Sequence, residues 1–209
     1  MRVLQRGLAL KFKRIVDLSV ASAAGLVVAP VVALAALAVV LTDGRPAFFA
    51  QDRPGKGGKP FRFFKLRTMK NAKEKEGKPE FDGDRMTTVG RVLRATSIDE
   101  LPQLLNVIRG EMSLVGPRPL LMHYLPRYSA SQARRHEVLP GITGWAQING
   151  RNSLSWDEKF ALDVWYVDKW TPLLDLQILA RTMGKVVKRD GIGSGGPVVT
   201  MPEFMGSAE

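Results

Sequence analysis

Residues 18–42, LSVASAAGLVVAPVVALAALAVVLT, are 25 consecutive residues without a charge. About 20 apolar residues suffice to cross a bilayer as a helix, and a helix of a water-soluble core is rarely apolar on every side. The segment therefore predicts membrane association. The basic start and the Ala36-Leu37-Ala38 triplet resemble a secretory leader, but the run is longer than a leader's core and Pro30 lies in its middle.

The flanks constrain how such a segment sits. Arg2, Arg6, Lys11, Lys13 and Arg14 precede it, and Arg45, Arg53, Lys56 and Lys59 follow it. Positive charge is retained on the cytoplasmic side of a membrane, and here both flanks carry it. Two readings remain open from the residues alone. A plain spanning helix tolerates Pro30. Alternatively, the chain enters, breaks at Ala29-Pro30 and returns to the same side, because proline removes a backbone donor and crowds the preceding turn.

The chain beyond Thr42 is predicted to be a small α/β domain, mostly α. FRFFKLRTM (61–69) alternates as a short strand. Residues 70–86 read as a polar, mobile loop. Helices are expected over 97–109, 129–138, 155–169 and 171–189, the last two separated near Pro172. PGITGWAQINGRN (140–152) reads as an ordered loop or short strand pair, and 191–209 as an irregular tail. The predicted organisation is a membrane segment over 1–42, a cytosolic catalytic domain over 43–190 and the tail. The last helix combines a broad apolar face with Arg181, Lys185, Lys188 and Arg189. That pattern suits either an interfacial amphipathic helix or a core-facing one.

Lys and Arg number 31 against 20 Asp and Glu, a net charge of +11. This surplus points to an anionic partner: phosphorylated substrate, lipid headgroup or nucleic acid. The absence of cysteine excludes thiol catalysis, disulfides and Cys-ligated zinc, and the two histidines, His123 and His136, lack metal-site spacing.

TSIDELPQLLNVIRGEMSLVGPRP (96–119) carries the candidate chemistry. Ser97-Ile98-Asp99-Glu100 has the spacing of a helix capping box. The same Asp99-Glu100 pair also stands near Lys65, Arg67, Arg94, Arg109 and Arg118, the last held between Pro117 and Pro119. Carboxylates among cations suit phosphoryl transfer: the cations hold phosphate oxygens and the carboxylates hold Mg²⁺ or attack phosphorus. A carboxylate in a first helical turn is expected to stay ionised at neutral pH.

These stretches, with KRIVDL (13–18), QDRPG (51–55), YLPRYS (124–129), RRHEVLPGITGWAQINGRN (134–152) and DVWYVDKW (163–170), resemble the bacterial sugar transferases, specifically the small monotopic phosphoglycosyl transferases. The resemblance covers almost the whole chain. It implies transfer of a phosphosugar from a UDP-sugar to polyprenyl phosphate with release of UMP, the first membrane step of a surface glycan. It further implies that Asp99 is the nucleophile, that Asp99 and Glu100 hold Mg²⁺, and that Lys65, Arg94 and Arg118 bind phosphate, with Arg151 at the nucleotide. A re-entrant membrane helix on the inner leaflet, a domain facing the cytoplasm and no nucleic-acid partner belong to the same expectation, and a homodimer is compatible with it. Ala29-Pro30 departs from the Ser-Pro common at the family's helix break. The end, GPVVTMPEFMG (196–206), is similar to members handling N-acetylated amino sugars. The rival classes are a membrane-anchored nucleic-acid-binding protein and a scaffold, neither of which uses the Asp-Glu pair.

Overall fold

The computed structural model describes residues 7–70, 85–150, 153–188 and 202–206, together with two short strands, Glu74–Lys75 and Lys78–Pro79. It is a mostly helical α/β structure. Helix α1, Leu8–Asp43, runs for 36 residues. Strands β1, Phe48–Pro54, and β2, Pro60–Leu66, form an antiparallel hairpin with Phe49 opposite Lys65 and Arg53 opposite Phe61. Strands β3, Glu74–Lys75, and β4, Lys78–Pro79, pair as a second, minimal hairpin. Helices α2, Thr88–Ala95, and α3, Gln103–Arg109, flank a single 3₁₀ turn, Ile98–Glu100. Strand β5, Ser113–Val115, pairs in parallel with β6, Gly141–Thr143. Between them lie two 3₁₀ stretches, Met122–Arg127 and Arg134–Glu137, and α4, Ala130–Ala133. Helices α5, Trp145–Ile148, α6, Trp156–Lys169, and α7, Pro172–Lys188, complete the order.

Several expectations change. The predicted break at Ala29-Pro30 is absent: α1 is one α-helix with Pro30 inside it. Proline deletes a single i→i−4 hydrogen bond, and a long apolar helix tolerates that loss without losing its helical path. The predicted helix over 97–109 is divided. Ser97 adopts a left-handed conformation (φ 56°), so the chain turns sharply before Ile98, and the α-helix begins only after Pro102. The strand at 141–143 finds its partner in β5 rather than in a neighbouring segment. Most of the loop expected over 70–86 lies outside the described residues.

Polar side chains fasten α1 to the domain. Lys13 Nζ donates to Asp175 Oδ2 (2.5 Å), and Asp175 also accepts from Tyr166 Oη (2.7 Å) and Trp170 Nε1 (3.0 Å). Asp17 is buried and accepts from Ser113 Oγ (2.7 Å) and the Leu114 amide (3.2 Å). Arg14 donates to the carbonyls of Val107 and Ile108 at the end of α3, which satisfies acceptors that a helix terminus leaves open. Two of the flanking cations read as topology signals are thus structural anchors.

The core has three parts. The largest joins Ala21 of α1 to Phe61, Phe63, Val107, Met112 and Tyr166. A second joins Val39 of α1 to Leu66 and Leu93. A third gathers Tyr124, Phe160 and Phe204. Phe204 belongs to the stretch expected to be an irregular tail. Residues 202–206 do lack helix or strand, yet Phe204 is buried and its amide donates to Tyr124 Oη (3.2 Å). On α7, Leu174 and Ile178 face the core while Leu173, Leu176 and Met183 are exposed, so this helix has apolar residues on both sides.

Helix α2 is started by Thr87, a buried side chain that accepts from the Gly90 amide (2.8 Å). Thr87→Ala is expected to lower stability by about 1 kcal/mol, the usual cost of losing an N-cap. Thermal unfolding in detergent reads this, and an unchanged midpoint rejects the cap's contribution.

Candidate active site

Three elements bring the candidate residues together. The 3₁₀ turn carries Asp99 and Glu100, β2 carries Lys65, and α2 carries Arg94 in its last turn. Arg118 follows β5.

The placement of each rests on specific contacts. Asn106, fully buried on α3, accepts from the Phe64 amide through Oδ1 (3.3 Å) and donates to the Arg62 carbonyl through Nδ2 (2.7 Å). It locks the helix that follows the acid pair against the strand that carries Lys65. Arg94 Nε donates to Thr68 Oγ1 (3.0 Å), just beyond β2. The backbone around Arg118 is held on both sides: the Gly141 amide donates to the Pro117 carbonyl (3.0 Å), and Arg135 Nη2 donates to the Arg118 carbonyl (2.8 Å). Gly116 and Gly141 permit this closeness, since a Cβ on Gly141 would stand 2.0 Å from the Gly116 nitrogen.

Arg118 forms a two-pronged ion pair with Glu100, with Nη1 on Oε2 at 3.3 Å and Nη2 on Oε1. The Glu100 charge and hydrogen bond raise the Arg118 pKa further. Asp99 is left with a different environment. It is buried, at 6% exposure, and among the described residues none donates a hydrogen bond to it. Burial and the adjacent Glu100 raise its pKa from 3.8 to about 6, while Lys65, Arg94 and Arg118 oppose the rise. The expectation of an ordinary ionised first-turn carboxylate is therefore modified: desolvation outweighs the weak dipole of one 3₁₀ turn, yet the group is still mostly ionised at pH 7. Lys65 has its Nζ 5.2 Å over the Phe49 ring. Burial, and then Arg94, lower its pKa to about 8.

The capping-box reading of 97–100 is not what forms. Ser97 makes no side-chain cap. Complete capping boxes occur instead at Ser129–Gln132 and Ser155–Glu158. An uncapped, buried carboxylate beside its acidic neighbour and three cations can attack an electrophilic phosphorus whose oxygens the cations hold.

The sequence profile of the bacterial sugar transferases matches residues 8–189, from α1 through α7. The chain belongs to this family. It is accordingly an enzyme, a transferase. The sugar transferase is 57% identical over 180 residues to the uncharacterized sugar transferase EpsL of Bacillus subtilis (strain 168), covering 86% of this chain and 89% of that protein. It is 42% identical over 188 residues to the UDP-glucose:undecaprenyl-phosphate glucose-1-phosphate transferase of Caulobacter vibrioides, covering 85% and 70%. It is 41% identical over 169 residues to the undecaprenyl-phosphate galactose phosphotransferase of Salmonella typhimurium, covering 73% of this chain and 36% of that longer protein.

Of the expected site residues, Lys65, Arg94, Asp99, Glu100 and Arg118 converge, while Arg151 lies outside the described residues. Residues that sequence reading passed over include Asn106, Thr68 and Arg135, which position the others, and Arg53, which was counted only as flanking charge. The first three do not stand out by type or spacing, because each acts through a partner distant in sequence.

Proposed function

We propose that this sugar transferase moves a phosphosugar from a UDP-sugar to polyprenyl phosphate and releases UMP. One observation carries this: a buried carboxylate, Asp99, with no hydrogen-bond donor among the described residues, ringed by Lys65, Arg94 and Arg118. The names of the Caulobacter and Salmonella relatives supply the substrate classes.

In the first step a carboxylate oxygen of Asp99 bonds to the β-phosphorus. The bond from that phosphorus to the bridging oxygen breaks, and its electron pair leaves on UMP. The enzyme is left as a phosphosugar-aspartate. In the second step an oxygen of polyprenyl phosphate attacks the same phosphorus and Asp99 departs as carboxylate. The product is polyprenyl-diphosphate sugar. Arg118, oriented by Glu100 and by the Arg135 contact, and Lys65 and Arg94 hold the phosphate oxygens through both steps. The donor sugar is proposed to be an N-acetylated amino sugar, from the similarity of the chain's end.

Among the described residues no group of three or more His, Asp or Glu side chains assembles a cage for a metal. Mg²⁺ does not need one, because it is commonly held by one or two carboxylates with substrate phosphates and water. Asp99 and Glu100 fit that mode. When bound, the ion would neutralise charge on the diphosphate.

The enzyme is proposed to sit on the cytoplasmic face of the bacterial inner membrane, with α1 entering one leaflet. Supporting this, Lys13 and Asp17 in the first third of α1 and Val39 near its other end are all held on the same domain. A helix leaving the domain to cross a bilayer would carry one end away. Outward residues such as Leu26 and Leu41 are 80% and 75% exposed, an apolar exterior suited to lipid.

The test is UMP release from a panel of UDP-sugars with undecaprenyl phosphate, with and without chelator. Repeated turnover that needs the acceptor and Mg²⁺, with at most one UMP per enzyme released without acceptor, supports the reading. No UMP from any donor, with no labelled donor bound, overturns it.

The pH profile is also fixed by these groups. Asp99 must be ionised to attack, so activity falls as pH drops through about 6. Lys65 must be charged to bind phosphate, so activity falls as pH rises through about 8. A bell with those limbs is expected in kcat/KM. A flat acid limb between pH 5 and 7 contradicts Asp99 as the attacking group.

A further inference from the structure

Arg53 is the anomaly among the arginines. Every other described arginine that is buried or half-buried hydrogen-bonds to a carbonyl, hydroxyl or carboxylate: Arg14, Arg67, Arg85, Arg94, Arg118, Arg127, Arg134 and Arg135. Arg53 is half-buried, its Nε is buried without a partner, and among the described residues no carboxylate pairs with it. Its guanidinium lies 5.7 Å from the Phe63 ring centroid. A partly desolvated guanidinium with its buried Nε unmatched is costly, which makes Arg53 a poor structural element and a good receptor for an anion.

Its position says which anion. Arg53 is directly opposite Phe61, and Lys65 directly opposite Phe49, in the β1–β2 hairpin. Opposed residues share a face, and residues two apart along a strand share it too. Arg53 and Lys65 therefore project from one face of the hairpin, four positions apart, on the order of 13 Å along the strand. Arg118 acts electrostatically on both, whereas Asp99 acts on Lys65. The 3₁₀ turn that carries Asp99 packs on β2, the strand of Lys65, and the 3₁₀ stretch Met122–Arg127 that carries Tyr124 packs on β1, the strand of Arg53. In phosphoryl transfer the nucleophile and the leaving oxygen lie in line on opposite sides of phosphorus. With Asp99 on the Lys65 side, the leaving group departs toward Arg53.

We propose that Arg53, with Arg118, binds the α-phosphate of the nucleotide and receives the negative charge that develops on UMP as it leaves. This rests on the nucleotide-sugar reading above. No proton moves in the step: the β-phosphorus–oxygen bond breaks, its electron pair stays on the bridging oxygen, and that oxygen becomes part of the UMP phosphate facing Arg53.

The test compares wild type, Arg53→Gln and Arg53→Lys in three assays. Direct binding of UMP is expected to weaken at least about tenfold in Arg53→Gln, with partial recovery in Arg53→Lys, while binding of uridine, which lacks the phosphate, is unchanged. Single-turnover UMP release is expected to slow by about a hundredfold in Arg53→Gln, whereas transfer from preformed phosphosugar-enzyme to undecaprenyl phosphate keeps its rate. Thermal stability is expected to hold or rise, because an unmatched charge is removed. Equal UMP affinity and release in Arg53→Gln overturn the proposal. So does a lowered melting point accompanied by equal loss in both half-reactions, which marks a structural role. A panel of AMP, CMP, GMP and inorganic phosphate separates the two readings. Arg53-dependent binding of another nucleotide but not UMP sinks the UDP-sugar reading and keeps the Arg53 site, and no nucleotide or phosphate binding by wild type sinks both.

Discussion

Asp99→Asn is expected to abolish UMP release, by about a thousandfold or more, and to leave no phosphosugar on the protein after mixing with donor alone. The reason is chemical rather than structural. The amide is close to isosteric with the carboxylate but cannot displace a phosphate. The same substitution is expected to leave the fold intact. With a native pKa of about 6 against 3.8 in the unfolded chain, Asp99 holds its proton more tightly when folded. Ionising it therefore costs native stability as pH rises from about 4 to above 6, and the amide removes that cost. The expected pattern is an inactive protein whose melting temperature at pH 7.5 is no lower than wild type. Intact-protein mass spectrometry of the wild type, mixed with donor and no acceptor, reads the adduct directly. An active Asn variant, or an adduct located on Glu100, would remove Asp99 from the central role.

Arg135→Ala is expected to produce the largest loss of stability, about 3–5 kcal/mol, the range for breaking a buried ion pair. Arg135 and Asp163 are each 3% exposed. Arg135 donates to Asp163 Oδ2 through Nε (3.0 Å) and Nη2 (2.7 Å). Removal of the guanidinium strands a buried carboxylate among Phe160 and Tyr128, whose rings now face the cation. For a chain of this size the loss amounts to a melting shift of roughly 10 °C. A second consequence is functional, because Arg135 Nη2 also donates to the Arg118 carbonyl. The surviving folded fraction is expected to bind donor more weakly, since Arg118 loses one of its two backbone restraints. Replacing both partners by apolar residues, Arg135→Met with Asp163→Leu, should recover most of the stability and little of the donor affinity. A single mutant within 1 kcal/mol of wild type would show that the pair is solvated and the estimate wrong.

The wider lesson concerns polar residues with structural work to do. Asp17, Asn106, Asp175 and Arg135 are all buried, and each joins segments far apart in the chain. Asn106 in particular fixes the acid pair relative to Lys65 while touching neither. Such residues cost free energy unless every bond is made, so they bind the site to the fold and transmit damage from one to the other.

What the sequence determined by itself was set by local physics and by motif. An uncharged run longer than a bilayer is thick dictates a long apolar helix, and α1 is that helix. The two helices expected over 155–169 and 171–189, divided near Pro172, form at Trp156–Lys169 and Pro172–Lys188. The transferase family was legible because its motifs are quoted nearly intact along the chain. Tertiary structure alone decided the rest. A one-residue left-handed turn at Ser97 converted an apparent helix cap into an uncapped, buried carboxylate, because φ at a single residue redirects the chain and no periodicity records it. Burial, not the helix dipole, set the Asp99 pKa, because desolvation depends on what packs around a group. Strand pairing between residues 113–115 and 141–143 positioned Arg118, and pairing between β1 and β2 placed Arg53 on the face of Lys65. The first is a long-range register, fixed by which backbone donors meet which acceptors, and neighbouring residues in the chain do not encode that choice; the second is a hairpin whose register its short loop sets, but which cations then share a face shows only once the strands pair.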